Sequence, residues 1–464
     1  MSNISKRNKP LTVKPLKSSQ PLGASLAFLG IHRTIPMMHG SQGCTAFGKV
    51  FLIRHFREPI PLQTTAMEQI TTIMGADENV IEGLTTIANK AKPALIGVIT
   101  TGLSETQGTD IKGIVKQFRL HHSEPAQTKV VAVNAPDFLG CFESGFALAV
   151  TAMLEELVPP ITAVQSKPYP PQVNVLAGSL LTPGDVEFLK ETIESFGLRP
   201  VVIPDISDSL DGHVTAANFS PITIGGTPIT EFATLGMAKA TLVIGASMYK
   251  AADLLKARTG VADYRFQSLM GITAFDQFLL TLRDLAEKPV PSKFERQRSQ
   301  LQDAMLDTHF MLGQARVAIA ADPDSLLAFT PLLKEMGAEI VTVVAPSYTP
   351  ELEHIPVDTI KIGDLEDLEN LAQAAQAQLL ISNSHAVDSA KRLRIPLLRS
   401  GFPQFDLIGG YQKTWIGYKG TRQTLFDLAN LMLTHHAQHE RIKPYRSRYA
   451  QKHDSPCDYE DICG

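Results

Sequence analysis

Apolar runs, most of four or five residues, alternate along the chain with stretches of helical periodicity. Residues 173–177 form one such run. A turn through Pro183 and Gly184, a helical stretch over 185–196, a stop at Gly197 and a second run at 201–203 follow it. The same order returns at 317–320, with Asp322, Pro323 and Asp324, a helical stretch to Met336, Gly337, and an apolar run at 340–344. Proline at the start of a helix and glycine just past its end are the expected punctuation. Runs that are apolar throughout, rather than alternating, suit strands covered on both faces in a parallel sheet. Similar runs at 94–100, 130–133, 240–245 and 379–382 extend the pattern. The prediction is an α/β fold of three doubly wound Rossmann-like domains, with parallel sheets around a central cleft.

Breaks in the pattern set the expected boundaries. Residues 1–20 carry Lys6, Arg7, Lys9, Lys14 and Lys17 with no apolar run after them, and read as a mobile basic N-terminal arm. Domain I spans 21–158, ending before Pro159, Pro160 and a proline-rich stretch at 168–171. Domain II spans 159–288. Pro289 and Pro291 then precede a charged helix over 294–310, which opens domain III at 289–443. Residues 444–464 form a polar tail, basic at Arg446, Arg448 and Lys452 and acidic at Asp458, Glu460 and Asp461, expected on the surface or across a partner.

Composition narrows the class. Hydrophobic residues make up 44% of the 464 and charged residues 19%, enough apolar material for several cores and too little charge for a disordered chain. A net charge of −4 points to neither nucleic acid nor a membrane surface as partner. Four cysteines are too few for a disulfide scaffold and suit a reducing compartment, so a cytoplasmic location is expected. Apolar runs stop well short of the roughly 18 residues that a membrane helix needs.

Candidate chemistry concentrates at residues 39–50, HGSQGCTAFGKV, where Gly40, Gly43 and Gly48 surround Cys44. Glycine-rich backbone can approach something bulky and offers N–H groups to an anion. Three readings stand open. Gly43 to Lys49 satisfies the phosphate-loop spacing, but Val50 replaces the Ser or Thr that holds Mg²⁺, and the preceding residues 35–39, with Pro36, make a poor strand. Cys44 could be a nucleophile served by His39 or His55. It could also ligate an iron–sulfur cluster, although Cys141, Cys457 and Cys463 stand at no recognisable ligand spacing. Cys44 would then be a minority ligand at a subunit interface, or simply a small buried residue. His435 and His439 share a helix face at metal-compatible spacing without the intervening Glu of a zincin, and read as a solvated surface. Trp415 and Tyr418 read as core.

Several longer stretches resemble one family. Residues 40–44 (GSQGC) followed by 54–59 (RHFREP), then 100–105 (TTGLSE), 136–140 (PDFLG), 399–403 (RSGFP) and 409–418 (GGYQKTWIGY) are similar to the nitrogenase molybdenum–iron protein β subunit and its scaffold paralogues. The resemblance covers nearly the whole chain. The catalytic β subunit offers three cysteines to its eight-iron P-cluster. Cys44 matches the first, but Leu62 and Gly102 stand where the others should be, and neither can ligate iron.

A single retained cysteine is similar to the pattern of the NifN family of cofactor-biosynthesis scaffolds. That resemblance implies a NifE partner in an α2β2 heterotetramer, and an interface [4Fe-4S] cluster with three thiolates from NifE and one, Cys44, from this side. It further implies an all-iron precursor of the iron–molybdenum cofactor, received from NifB and held mainly by the partner. The precursor would be matured with molybdenum, homocitrate and the nitrogenase iron protein as electron donor, then passed to the apo molybdenum–iron protein. Cys141 falls where the family comparison places a serine able to touch the P-cluster, which makes it a candidate neighbour of Cys44; the plainer reading is a buried free thiol. On this reading the chain is an assembly scaffold, with no catalytic residue assigned. The alternatives are a subunit of a nitrogenase-like reductase of the protochlorophyllide type, or a scaffold paralogue serving an alternative nitrogenase.

Overall fold

The structure, a computed structural model, describes residues 2–9, 11–121, 128–160, 170–214 and 220–439. Three all-parallel sheets organise these residues. In spatial order, the first runs Gln63–Thr64, Thr34–His39, Leu95–Thr100, Lys129–Val133, and the second Arg199–Ile203, Gln172–Ala177, Ala240–Ile244, Asp263–Phe266. The third has six strands: Asn3–Ser5, Thr359–Ile362, Glu339–Ala345, Arg316–Ala320, Leu379–Ser382, Leu397–Arg399. In each sheet the chain turns one way from a central strand and then the other, which is the doubly wound order.

Both repeats expected from the sequence are present. Helix Pro183–Glu194 joins Gln172–Ala177 to Arg199–Ile203, and helix Pro323–Glu335 joins Arg316–Ala320 to Glu339–Ala345. Gly197 and Gly337 close the chain behind these helices at φ of +78° and +75°, where a side chain would be strained. Central strands such as Leu95–Thr100 and Gln172–Ala177 are buried at every position; the first, LIGVIT, is apolar almost throughout, and in the second the buried Asn174 donates to Leu235 O at 3.0 Å.

Two expectations are corrected. Residues 34–39 form a full strand, fully buried at the centre of the first sheet. Pro36 lies in register with Gly97, and the Phe28 ring packs over Gly97 where a Cβ would stand. The basic N-terminal segment is not a free arm. Asn3–Ser5 adds to the edge of the third sheet beside Thr359–Ile362. Lys9 lies 2.7 Å from Asp364 and 2.8 Å from Glu366, and Lys14 lies 2.6 Å from Glu369, all at or near the start of helix Leu365–Ala374. The lysines of the expected mobile arm answer acidic groups at and near a helix N-terminus some 350 residues away in sequence.

The carboxyl ends of the strands converge on the centre. Loops after Ala177, Ile203, Phe266 and Arg399, with helix Pro323–Glu335, meet the end of helix Gln42–Phe56 around a cavity of about 40 Å³. That volume holds a few waters and nothing larger. His55 closes one side and accepts a 2.9 Å hydrogen bond at Nδ1 from the Gln404 backbone.

Candidate functional site

Cys44 sits in the first turn of helix Gln42–Phe56, which starts directly after the central strand Thr34–His39. Its place is the switch point of the first sheet, between the strands that turn opposite ways, where ligands of such sheets bind. The thiol is exposed, and Ser41, the N-cap residue, donates a 3.3 Å hydrogen bond to Sγ. Unpaired backbone N–H groups at a helix start suit the negative charge of a cluster or anion.

The three glycines do different work. A Cβ on Gly40 would collide with Thr101, so Gly40 lets the loops after Thr34–His39 and Leu95–Thr100 lie side by side. Gly48 rests on Met38 and Leu22. Gly43 faces open space, with no protein atom within 4 Å of a Cβ, and leaves an approach to the chain beside Cys44.

The rival readings of this segment fail on geometry. Gly43 to Lys49 is helical from end to end, so no phosphate-cradling loop exists there. Neither histidine serves as a base for Cys44. His39 is buried with Nδ1 2.9 Å from Thr65 Oγ1, and burial holds its pKa down at about 4. His55 is buried at the far end of the helix, with a pKa held at about 3 by burial.

Of the positions where the β-subunit pattern has further cysteines, Leu62 is buried against the underside of the Cys44 helix near Gly48. Gly102 opens helix Gly102–Gln107, and its N–H donates to Asp137 Oδ2 at 3.1 Å. Sequence reasoning passed over Asp137, whose carboxylate stands beside Gly102; its signal was its place within the same PDFLG stretch. Cys141 is buried at the N-cap of helix Phe142–Leu157, beside Asp322 of the third domain. Burial, then the nearby Asp322 and Glu143 carboxylates, push that thiol well up. The plainer reading of Cys141 is therefore the one the structure supports. Helix Gly417–His439 carries His435, while the side chain of His439, like Cys457 and Cys463, lies outside the described residues. Trp415 and Tyr418 are core residues, as expected.

Exposed apolar side chains recur on elements that follow the carboxyl ends of the first sheet's strands. Phe47 and Val50 are exposed on the same helix, Ile70, Ile73 and Met74 on helix Gln69–Met74, and Phe138 and Leu139 on the loop after Lys129–Val133. Soluble monomers rarely expose this much apolar surface in one region, and such patches mark interaction sites. Among the described residues no group of three or more His, Cys, Asp or Glu could hold a metal, so a cluster at Cys44 needs ligands from elsewhere.

The model of the nitrogenase component 1 type oxidoreductases matches residues 19–433. A protein of Rippkaea orientalis named nitrogenase iron–molybdenum cofactor biosynthesis protein NifN is 47% identical over 453 residues, covering 95% of this chain and 98% of its own. The protein of that name in Klebsiella pneumoniae is 42% identical, covering 98% of both. The chain belongs to the NifN family. A solved nitrogenase component, Cp1 at pH 6.5, superimposes with a TM-score of 0.87 at 29% identity, over 95% of this chain and 97% of that one. A second chain, from Cp1 at pH 5, shares the fold at a TM-score of 0.70 and 13% identity. No helix among the described residues is long and apolar enough to cross a membrane.

Proposed function

We propose that this NifN-family chain is a scaffold subunit for assembly of the nitrogenase iron–molybdenum cofactor, acting in the cytoplasm with a NifE-like partner in an α2β2 heterotetramer. Cys44 is the single ligand from this side to a [4Fe-4S] cluster at the interface, and the partner supplies the other three thiolates. The observation that carries the reading is one exposed thiol at a sheet switch point, with exposed apolar side chains at the same end of that sheet. A lone accessible thiolate fits one quarter of a four-thiolate ligand set, and the apolar surround fits a partner that buries the cluster.

Within this reading each residue has a definite task. Cys44 ligates through Sγ, and Ser41 keeps its hydroxyl on that sulfur, where a donor tunes a cluster. Gly43 admits the approaching group, and Phe47, Ile73 and Phe138 exclude water once the partner is seated. The bound cluster supplies one-electron transfer. The all-iron precursor rests mainly on the partner, a division that the small size of the central cavity, where the strand ends of this chain meet, favours. Exchange with NifB, the iron protein and the apo molybdenum–iron protein takes place on the assembled complex.

The partner claim is tested by co-expressing the chain with a NifE-like subunit and purifying through a tag on one of them. Wild type should co-purify in equal amounts, and Phe47→Asp with Ile73→Asp should reduce recovery at least tenfold. Equal recovery of that double variant would contradict the assignment of this surface.

A further inference from the structure

The edge of the third sheet opposite the N-terminal strand carries a groove that the proposed function does not use. Strand Leu397–Arg399 pairs on one side with Leu379–Ser382 and, among the described residues, has no strand on its other side. Beside it lie helix Val387–Leu393 and the last turns of helix Gly417–His439, leaving two adjoining hollows of about 420 and 280 Å³. Arg394, Ile395 and His435 line both hollows, so they form one continuous groove.

The groove has an apolar floor and a basic rim. Leu397 and Leu431 form part of the floor, while Lys391, Arg394 and Arg399 stand along the rim. Arg399 is answered by Asp406 at 2.7 Å and Lys391 loosely by Asp388 at 3.4 Å. Arg394, exposed at the left-handed C-cap of its helix, makes no ion pair among the described residues. An occupant should therefore be an extended segment with acidic groups for the rim and one or two apolar side chains for the floor.

Such a segment belongs to this chain. The helix that lines the groove at Leu431 and His435 is described to His439, and 25 residues follow it. Their last part contains Asp454, Asp458, Tyr459, Glu460, Asp461 and Ile462. Eighteen residues lie between His439 and Asp458, a reach of up to roughly 60 Å when extended. The groove starts one helical turn before His439, so the return lies well within that span. Attachment to the same chain also raises the effective concentration to about the millimolar range, enough to fill a weak site.

We propose that residues 454–464 dock in cis into the groove between strand Leu397–Arg399 and helix Gly417–His439. The acidic side chains meet Arg394 and its basic neighbours, and Tyr459 and Ile462 cover the apolar floor. The docked segment caps an open sheet edge that would otherwise be free to pair with another chain.

Hydrogen exchange on the full chain, in its purified complex, tests this. Deleting residues 454–464 should speed exchange of the backbone in 394–399 at least tenfold and leave exchange in the first sheet unchanged. Arg394→Glu in the full chain should reproduce part of that increase. A synthetic peptide of residues 454–464 should bind the deleted form, more weakly at high salt, and lose binding to the deleted form carrying Arg394→Glu. Unchanged exchange on deletion would overturn the proposal. So would protection that depends on protein concentration, because the segment would then come from a second copy.

Discussion

Asp185 joins the second and third domains, and its removal has a calculable effect. It lies in the first turn of helix Pro183–Glu194, fully buried. Oδ1 accepts from the backbone N–H of Trp415 at 2.6 Å and of Ile416 at 3.1 Å, and Oδ2 accepts from Thr182 N at 3.1 Å. Asp185→Ala leaves three buried N–H groups without acceptors, at roughly 1–3 kcal/mol each before relaxation. Asp185→Asn can keep the two bonds from 415 and 416 and loses one. Burial, only partly offset by these bonds, raises the carboxyl pKa from 3.8 to about 6. The folded state thus holds a proton that the unfolded state has released, and wild-type stability falls as pH rises from about 4 to about 6. The shift is about two units, roughly 3 kcal/mol. Asparagine does not titrate. Relative to wild type, Asp185→Asn should therefore improve by roughly 3 kcal/mol between pH 4 and pH 7, passing from destabilising to near neutral. Asp185→Ala should remain destabilising at acid pH by several kcal/mol. Trp415, the one tryptophan in the chain, sits at the junction and reports urea unfolding there by fluorescence. A difference between wild type and Asp185→Asn that stays constant from pH 4 to pH 7 would refute the argument.

Three further outcomes are expected. A Cβ on Gly23 would overlap the Phe142 carbonyl where helices Gln20–Leu29 and Phe142–Leu157 cross, so Gly23→Ala should cost about 3 kcal/mol or more, read as a lowered urea midpoint. Burial alone would raise the Asp364 and Glu369 carboxyls, but Lys9 and backbone N–H groups hold the first, and Arg392 and Lys14 the second, down at about 2. Their stabilisation is present above about pH 4 and fades as pH falls toward 2; limited proteolysis near Ser5 should rise over that window, and at neutral pH in Lys9→Ala with Lys14→Ala. Glu143 accepts the Asp324 backbone N–H at 2.9 Å and Asp324 accepts from Ser247 Oγ at 2.6 Å, which joins all three domains; there burial followed by mutual repulsion raises the Glu143 carboxyl, and burial raises Asp322 and Asp324. Stability held there falls as pH climbs from 4 toward neutrality, and Asp322→Asn should flatten that slope in thermal unfolding.

The doubly wound pattern was open to sequence reading because both faces of each central strand are covered, which leaves runs such as LIGVI at 95–99 without a polar residue. Thr34–His39 was missed because Pro36 argues against a strand, and the pairing with Leu95–Thr100 that holds it at the centre of the sheet is formed some 60 residues away in sequence. The N-terminal strand escaped for a related reason: three residues near five basic side chains carry no strand signal, and their partners lie about 350 residues on. Cys44 was legible because glycines crowd it. The exposed apolar side chains on its helix were not, since Phe47 and Val50 look like core until the helix is seen to bury Thr45, Gly48 and Leu52 instead. Asp137 needed the fold to bring it next to Gly102.

The central claim is that Cys44 holds iron at a subunit interface, and the most direct measurement is iron content with the EPR spectrum of the anaerobically purified complex. Wild type should be compared with Cys44→Ala and with the Cys457→Ser and Cys463→Ser variants. The account predicts loss of a four-iron signal and a weakened complex in Cys44→Ala, with iron and assembly unchanged in the two tail variants. Undiminished iron and an unaltered spectrum in Cys44→Ala would make Cys44 a surface residue and contradict the account.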